Sequence, residues 1–143
     1  MDTKLKADIA ESAVLTQLLK RGLNVLNPVS DRLAYDLAIE DNGRLIRIQV
    51  KHAWYSAVRR LYLVDSRRTK TNRRRMVREK YSKDDFDFAI IYLGDKGVFY
   101  IMPAEVFNSY SSSIAFVESN KRQRPPKSAE YRERWDLLSK MGC

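Results

Sequence analysis

The chain has very few of the residues from which disulfides and most protein metal centres are built. Among 143 residues, the one cysteine is the terminal Cys143 and the one histidine is His52, which excludes an internal disulfide, a cysteine zinc site and a histidine-rich metal centre. No apolar run reaches the roughly 18 residues of a transmembrane helix, so no membrane association is expected. The first residues lack the apolar stretch of a signal peptide, and we therefore expect a cytoplasmic protein.

Acidic residues are scarce in one segment only. Residues 59–83 contain eleven basic residues against two acidic ones, whereas the rest of the chain has sixteen of each, so the net charge of +9 falls entirely in this segment. Such a density of like charge favours a polyanionic partner, and the DNA backbone would release counterions on binding it. A solvated charge run is the alternative. The predicted DNA-binding residues are Arg59, Arg60, Arg67, Arg68, Lys70, Arg73, Arg74, Arg75, Arg78 and Lys80.

A β-hairpin is predicted around Asn42 and Gly43, which lie between two alternating runs. An Asn-Gly pair in this context is typical of a type I′ turn, because both central residues of that turn have positive φ. With a two-residue loop, Leu37 pairs with Ile48. Side chains alternate along each strand, so one face of the hairpin is apolar. That face contains Leu37, Ile39, Ile46, Ile48 and Val50.

The other face of this hairpin is polar. Asp36 stands opposite Gln49, with Lys51 on the diagonal, so two oxygen ligands and an ammonium group converge, unless these residues are merely a solvated face of the ribbon. Residues 4–21 predict a helix that ends at Gly22 and carries Glu11 at the centre of its apolar arc. A carboxylate there is costly unless it is protonated, bound to metal or paired, and Arg47 is a possible ion-pair partner.

The rest of the chain predicts a single α/β domain over residues 1–143. Residues 66–83 are expected to be a loop or a basic helix, and residues 121–143 a helical extension. In the extension, Ser128 is expected to cap a last helix that carries Tyr131, Trp135 and Leu138 on one face. The other predicted elements are strands at 59–65, 86–93, 98–102 and 114–117, and a short helix at 103–107.

The order of the polar residues resembles that of the PD-(D/E)xK nuclease superfamily: Glu11 on a helix, Asp36 on a strand and Gln49-x-Lys51 on the next strand. Arg32-Leu-Ala-Tyr-Asp-Leu and Leu45-Ile-Arg-Ile-Gln-Val-Lys are similar to a bacterial branch with a Gln-x-Lys variant, the homing endonucleases of cyanobacterial group I introns. The resemblance is strongest over residues 4–54. It implies a restriction-endonuclease-like fold, in which an N-terminal helix packs on a mixed β-sheet and a helix ends the chain.

The resemblance also implies the chemistry of the site. Asp36, Gln49, Glu11 and the Val50 carbonyl would bind Mg²⁺ or another divalent cation, and Lys51 would position or help to deprotonate the attacking water. Gln49 departs from the family pattern, because the family usually has an acid there and an amide brings no charge. His52 is expected to be structural.

We therefore expect an intron-encoded homing endonuclease that cleaves both strands of double-stranded DNA. One site per chain implies a homo-oligomer, a dimer at least, and the resemblance implies a tetramer. A nuclease similar to Holliday-junction resolvases and a DNA-binding module with a relic site are the alternatives. Trp54 and Tyr55 are expected to be core or DNA-stacking residues.

Overall fold

The computed structural model describes residues 2–71, 76–82, 84–119 and 124–140. Helix α1 (Thr3–Lys20) begins after Asp2, whose carboxylate accepts a hydrogen bond from the Lys4 amide, and Gly22 follows its end with a φ of 78°. The predicted first helix is thus confirmed. No helix within the described ranges is long and apolar enough to span a membrane.

The predicted bounds of the strands agree closely with the structure where apolar residues dominate the strand. In chain order they are β1 Asn24–Leu26, β2 Leu37–Asp41, β3 Arg44–His52, β4 Trp54–Ser56, β5 Leu61–Asp65, β6 Arg67–Thr71, β7 Met76–Lys80, β8 Phe88–Leu93, β9 Val98–Pro103 and β10 Ser113–Phe116. Helix α2 (Ala104–Asn108) follows β9, and a 3₁₀ helix (Lys127–Tyr131) and helix α3 (Asp136–Lys140) end the described chain.

A five-stranded mixed sheet positions the candidate site. Its order is β1-β2-β3-β8-β9, and only the β3–β8 pair is parallel. Asn42 and Gly43 have φ values of 52° and 82°, and Leu37 pairs with Ile48, so the predicted turn and register are confirmed. Strands β10, β5 and β4 form a second sheet, and β6 pairs with β7 in a two-stranded ribbon.

The central sheet separates two apolar clusters. On one side, α1 packs Val14 and Leu18 against the apolar face of the β2–β3 hairpin, including Ile39 and Ile48. The other cluster contains Phe86 and Phe107 together with residues of the second sheet. Alternate residues of β8 enter the two clusters, which explains its nearly continuous apolar sequence.

Two predictions about the basic segment need correction. Arg67–Thr71 and Met76–Lys80 are neither a loop nor a helix, because β6 pairs with β7 in antiparallel register from Arg67 with Lys80 to Thr71 with Met76. The predicted strand 59–65 begins only at Leu61, since the chain turns at Arg60 with a φ of 57°. Residues 72–75 and 83 lie outside the described part of the chain.

The predicted C-terminal helix is also wrong in its extent. Ser128 lies buried within the 3₁₀ helix and donates a hydrogen bond to the Ala115 carbonyl instead of capping a helix. Glu133 has a φ of 51°, and its carboxylate accepts hydrogen bonds from the Phe99 amide and the Trp135 indole. These hydrogen bonds replace helical ones, so within the described residues 124–140 the α-helix covers only Asp136–Lys140. Residues 121–123 and 141–143 lie outside the described ranges.

Candidate active site

One open cavity collects the polar residues singled out in the sequence. It has a volume of about 520 Å³ and lies between α1 and the end of β3. Helix periodicity brings Glu11 to its rim, and the hairpin register brings the polar residues of β3 there. The candidate residues that line it are Glu11, Asp36, Gln49, Val50 and Lys51.

Asp36 is tied to β3 by its main chain and its side chain. Its amide donates to the Ile48 carbonyl at 2.9 Å, and its Oδ2 accepts from the Val50 amide at 2.9 Å. Burial raises the pKa of Asp36 above its ordinary value, while the Val50 hydrogen bond and the charge of Lys51 oppose that rise. The carboxylate is therefore held in place and partly shielded from water.

Glu11 faces the same cavity from α1. Burial, followed by the charges of Asp36 and Asp8, raises the pKa of Glu11 from 4.5 to about 7. The alternative ion pair with Arg47 does not form, because Arg47 Nε lies 3.3 Å from Asp87 Oδ2 and the Arg47 amide also donates to that oxygen. Two carboxylates thus face each other across the site and repel, which a divalent cation would relieve.

The two remaining side chains have defined partners. Gln49 Nε2 donates to the Val50 carbonyl at 3.3 Å. Lys51 Nζ donates to the Arg67 carbonyl at 3.2 Å and lies 5.0 Å from the centre of the Tyr81 ring. Sequence spacing gave no signal for these two partners, because both follow β5 in the chain and reach Lys51 only through the tertiary fold.

The donor set fits a divalent metal ion. Oxygen ligands from carboxylates, an amide and a main-chain carbonyl are those that hard cations such as Mg²⁺ prefer. No cluster of three acidic, histidine or cysteine residues with the geometry of a metal site occurs within the described residues. The site therefore offers two carboxylates, Asp36 and Glu11, and its other oxygens are neutral.

The residues after Lys51 differ in exposure. His52 is half-buried and contacts Tyr92 edge to face; burial and the charge of Lys6 lower its pKa, which favours neutral imidazole. Trp54 is 45% exposed and Tyr55 is 52% exposed, so of the two roles expected for them the core role is wrong and DNA stacking stays a prediction.

The predicted DNA-binding residues fall on two separate elements. Arg59 and Arg60 lie exposed on the turn between β4 and β5, whereas the others that the structure describes belong to the β6–β7 ribbon. Arg67 is paired with Asp65 at 3.1 Å, and Lys80 Nζ donates to the Asn108 carbonyl at 3.4 Å. The ribbon residues are Arg67, Arg68, Lys70, Arg78 and Lys80. Arg73, Arg74 and Arg75 lie outside the described residues.

Fold and site together define a metal-dependent nuclease. The chain belongs to the PD-(D/E)XK endonuclease family, whose model matches residues 1–138. It is thus a divalent-metal-dependent endonuclease whose substrate is DNA, and the predicted family and restriction-endonuclease-like fold are confirmed.

One solved structure gives a more particular likeness. The chain is similar to the bacterial homing endonuclease I-Ssp6803I, with 48% sequence identity and a TM-score of 0.93. The match covers 99% of this chain and 96% of that one. Comparison with curated proteins finds no match.

Proposed function

We propose that this protein is an intron-encoded homing endonuclease that recognises a specific sequence and hydrolyses phosphodiester bonds in both strands of double-stranded DNA, with Mg²⁺ as its cation. The observation that carries the proposal is the convergence of Asp36, Glu11, Gln49 and the Val50 carbonyl with Lys51 in one cavity. The 48% identity to a bacterial homing endonuclease over nearly the full length of both chains supports the homing role.

Each side chain has a distinct role in this proposal. Asp36, fixed by the Val50 amide, and Glu11 would hold the cation together with the Val50 carbonyl and Gln49. The bound cation supplies Lewis-acid stabilisation of the charge that develops on the scissile phosphate. Lys51, as an ammonium group, orients the attacking water and stabilises the same developing charge from the protein side.

Gln49 is the ligand on which the proposal depends most. Only its Oε1 can bind a cation, and its Nε2 now donates to the Val50 carbonyl. The two groups that would hold the cation are thus hydrogen-bonded to each other, and a shift of the Gln49 side chain would leave both of their oxygens to the metal. The neutral amide also favours a second reading, a DNA-binding module with a relic site.

DNA binding is assigned to residues 59–83 of a single nuclease domain that spans residues 1–143. The cluster of eleven basic residues against two acidic ones supports this assignment, since a duplex backbone neutralises such a surface. One active site per chain supports a homo-oligomer, because two strands must be cut. A dimer is the minimum, and a tetramer is the assembly that the resemblance to homing enzymes favours.

The proposal is tested with randomised duplex DNA. The protein is incubated with the library and Mg²⁺, and the cut ends are sequenced; we expect one long motif, cut at fixed positions in both strands. Asp36→Asn is the control for contaminating nucleases. Cleavage of four-way junctions regardless of sequence would instead indicate a resolvase, and sequence-specific binding without any cleavage would indicate a relic site.

A further inference from the structure

Lys51 lies against the root of the basic β6–β7 ribbon, that is, the end at which Arg67 pairs with Lys80. Its Nζ donates to the carbonyl of Arg67, the first residue of β6, at 3.2 Å. The same Nζ lies 5.0 Å from the ring centre of Tyr81, which directly follows the last residue of β7. Arg67 pairs with Lys80, so both contacts come from the same end of the ribbon, where β6 begins and β7 ends.

The Tyr81 ring has little freedom to move. It is 8% exposed, and it packs edge to face on Phe86 at 5.1 Å and tilted on Phe107 at 6.1 Å between ring centres. Phe86 and Phe107 are themselves fully buried. Arg67 is fixed as well, because its amide donates to Asp65 Oδ1 at 2.8 Å and its guanidinium pairs with the same carboxylate.

We propose that Tyr81 is a positioning residue for the reaction: its ring face and the Arg67 carbonyl hold the Lys51 ammonium group directed into the active-site cavity. An aromatic face attracts a cation, and the attraction grows as the pair is removed from water. The root of the DNA-binding ribbon is thereby also the support of the lysine. This inference rests on the catalytic role proposed above for Lys51.

A core aromatic with no part in the reaction would show the same burial, so the test needs a matched control. Phe107→Leu removes a ring from the same cluster but not from Lys51. We compare it with Tyr81→Leu and Tyr81→Phe by single-turnover cleavage with Mg²⁺, by DNA binding with Ca²⁺, and by thermal unfolding.

Tyr81→Leu should lower the maximal rate about tenfold, the rate equivalent of a partly desolvated cation–π contact, while DNA affinity stays within twofold of the parent's, about 0.4 kcal/mol. Tyr81→Phe should retain most of the rate. Phe107→Leu should lower the unfolding temperature but leave the rate of the folded protein unchanged. If Phe107→Leu reproduces the defect of Tyr81→Leu, the ring is only structural and the inference fails.

Fluorinated phenylalanines at position 81 keep the test decisive should Tyr81→Leu not fold. Successive fluorines weaken the negative ring face at nearly constant size, so the rate should fall with each addition; a constant rate overturns the inference. Lys51→Ala separates the two proposals. If Lys51→Ala is inactive but the variants at position 81 cleave at the parental rate, only the positioning role is refuted. If Lys51→Ala itself cleaves at the parental rate, the proposed site is refuted.

Discussion

The Asp36 carboxylate accepts a hydrogen bond from the Val50 amide at 2.9 Å, which ties the residue before β2 to the strand that carries Gln49 and Lys51. The bond gives Asp36 a structural role at the start of β2 as well as that of a candidate ligand. A change that keeps the bond but removes the charge therefore separates the structural role from the chemical one.

Asp36→Asn should keep the fold and abolish cleavage. The amide oxygen of asparagine can still accept from Val50, whereas the loss of the anionic ligand should lower the cleavage rate on the order of a thousandfold or more. Single-turnover cleavage and DNA binding with Ca²⁺ measure the two effects, and Asp31→Asn, on an exposed turn, is the matched control. Cleavage by Asp36→Asn at the parental rate would show that the site lies elsewhere.

Gln49→Glu should increase the affinity for the divalent cation. A third carboxylate beside Asp36 and Glu11 adds attraction for the metal, and we expect half-maximal cleavage at a Mg²⁺ concentration about tenfold lower, an effect of about 1.4 kcal/mol. Without metal the added repulsion should lower the unfolding midpoint. A Mg²⁺ titration of the cleavage rate checks this, with Gln17→Glu on α1 as control. An unchanged Mg²⁺ midpoint would mean that residue 49 is not a ligand.

Glu11 should make the stability of the metal-free protein depend on pH. The pKa of Glu11 is raised to about 7 in the folded protein, first by burial and then by Asp36 and Asp8, whereas the unfolded chain has the ordinary 4.5. The stabilising contribution is therefore complete below pH 4.5 and is lost as the pH rises through 7. After allowance for solvent screening the loss is about 1 kcal/mol.

Urea unfolding of the parent and of Glu11→Gln between pH 5 and 8 measures this loss as the difference between the two free energies of unfolding. Glu105→Gln, exposed on α2, is the control. With a divalent cation the dependence should reverse, since binding requires the ionised carboxylate and the metal affinity then rises with pH. A difference that does not change across this pH range would contradict the raised pKa.

The basic segment should determine how DNA binding depends on salt. Neutralising Arg73, Arg74 and Arg75 together should weaken binding and reduce the slope of log K against log salt by about 0.9 for each DNA phosphate that the variant no longer neutralises. A control variant removes three exposed lysines outside the segment, Lys20, Lys96 and Lys127. A slope that the triple arginine change leaves unaltered would remove these residues from the interface.

Local patterns predicted the hairpin and the helix because their physical causes are local. The φ values of Asn42 and Gly43 fix the register, and the register brings Asp36, just before β2, to the part of β3 that carries Gln49 and Val50. The β6–β7 ribbon was not predicted, because Arg67–Thr71 and Met76–Lys80 lack the apolar alternation by which a strand is recognised. The C-terminal helix was overpredicted because its sequence has a helical pattern that the fold does not follow. Glu133 is not helical, and its carboxylate accepts hydrogen bonds from the Phe99 amide and the Trp135 indole.

Turn chemistry and helix periodicity, both of which are local, place Glu11, Asp36, Gln49 and Lys51 on facing surfaces. How each side chain is held depends on the folded chain. The pKa of Glu11 depends on burial and on Asp36, Arg47 is taken by Asp87, and Lys51 is held by Arg67 and Tyr81 at the root of the ribbon. Hydrogen bonds, desolvation and cation–π contacts depend on distances between segments far apart in the chain, and no spacing along the sequence specifies those distances.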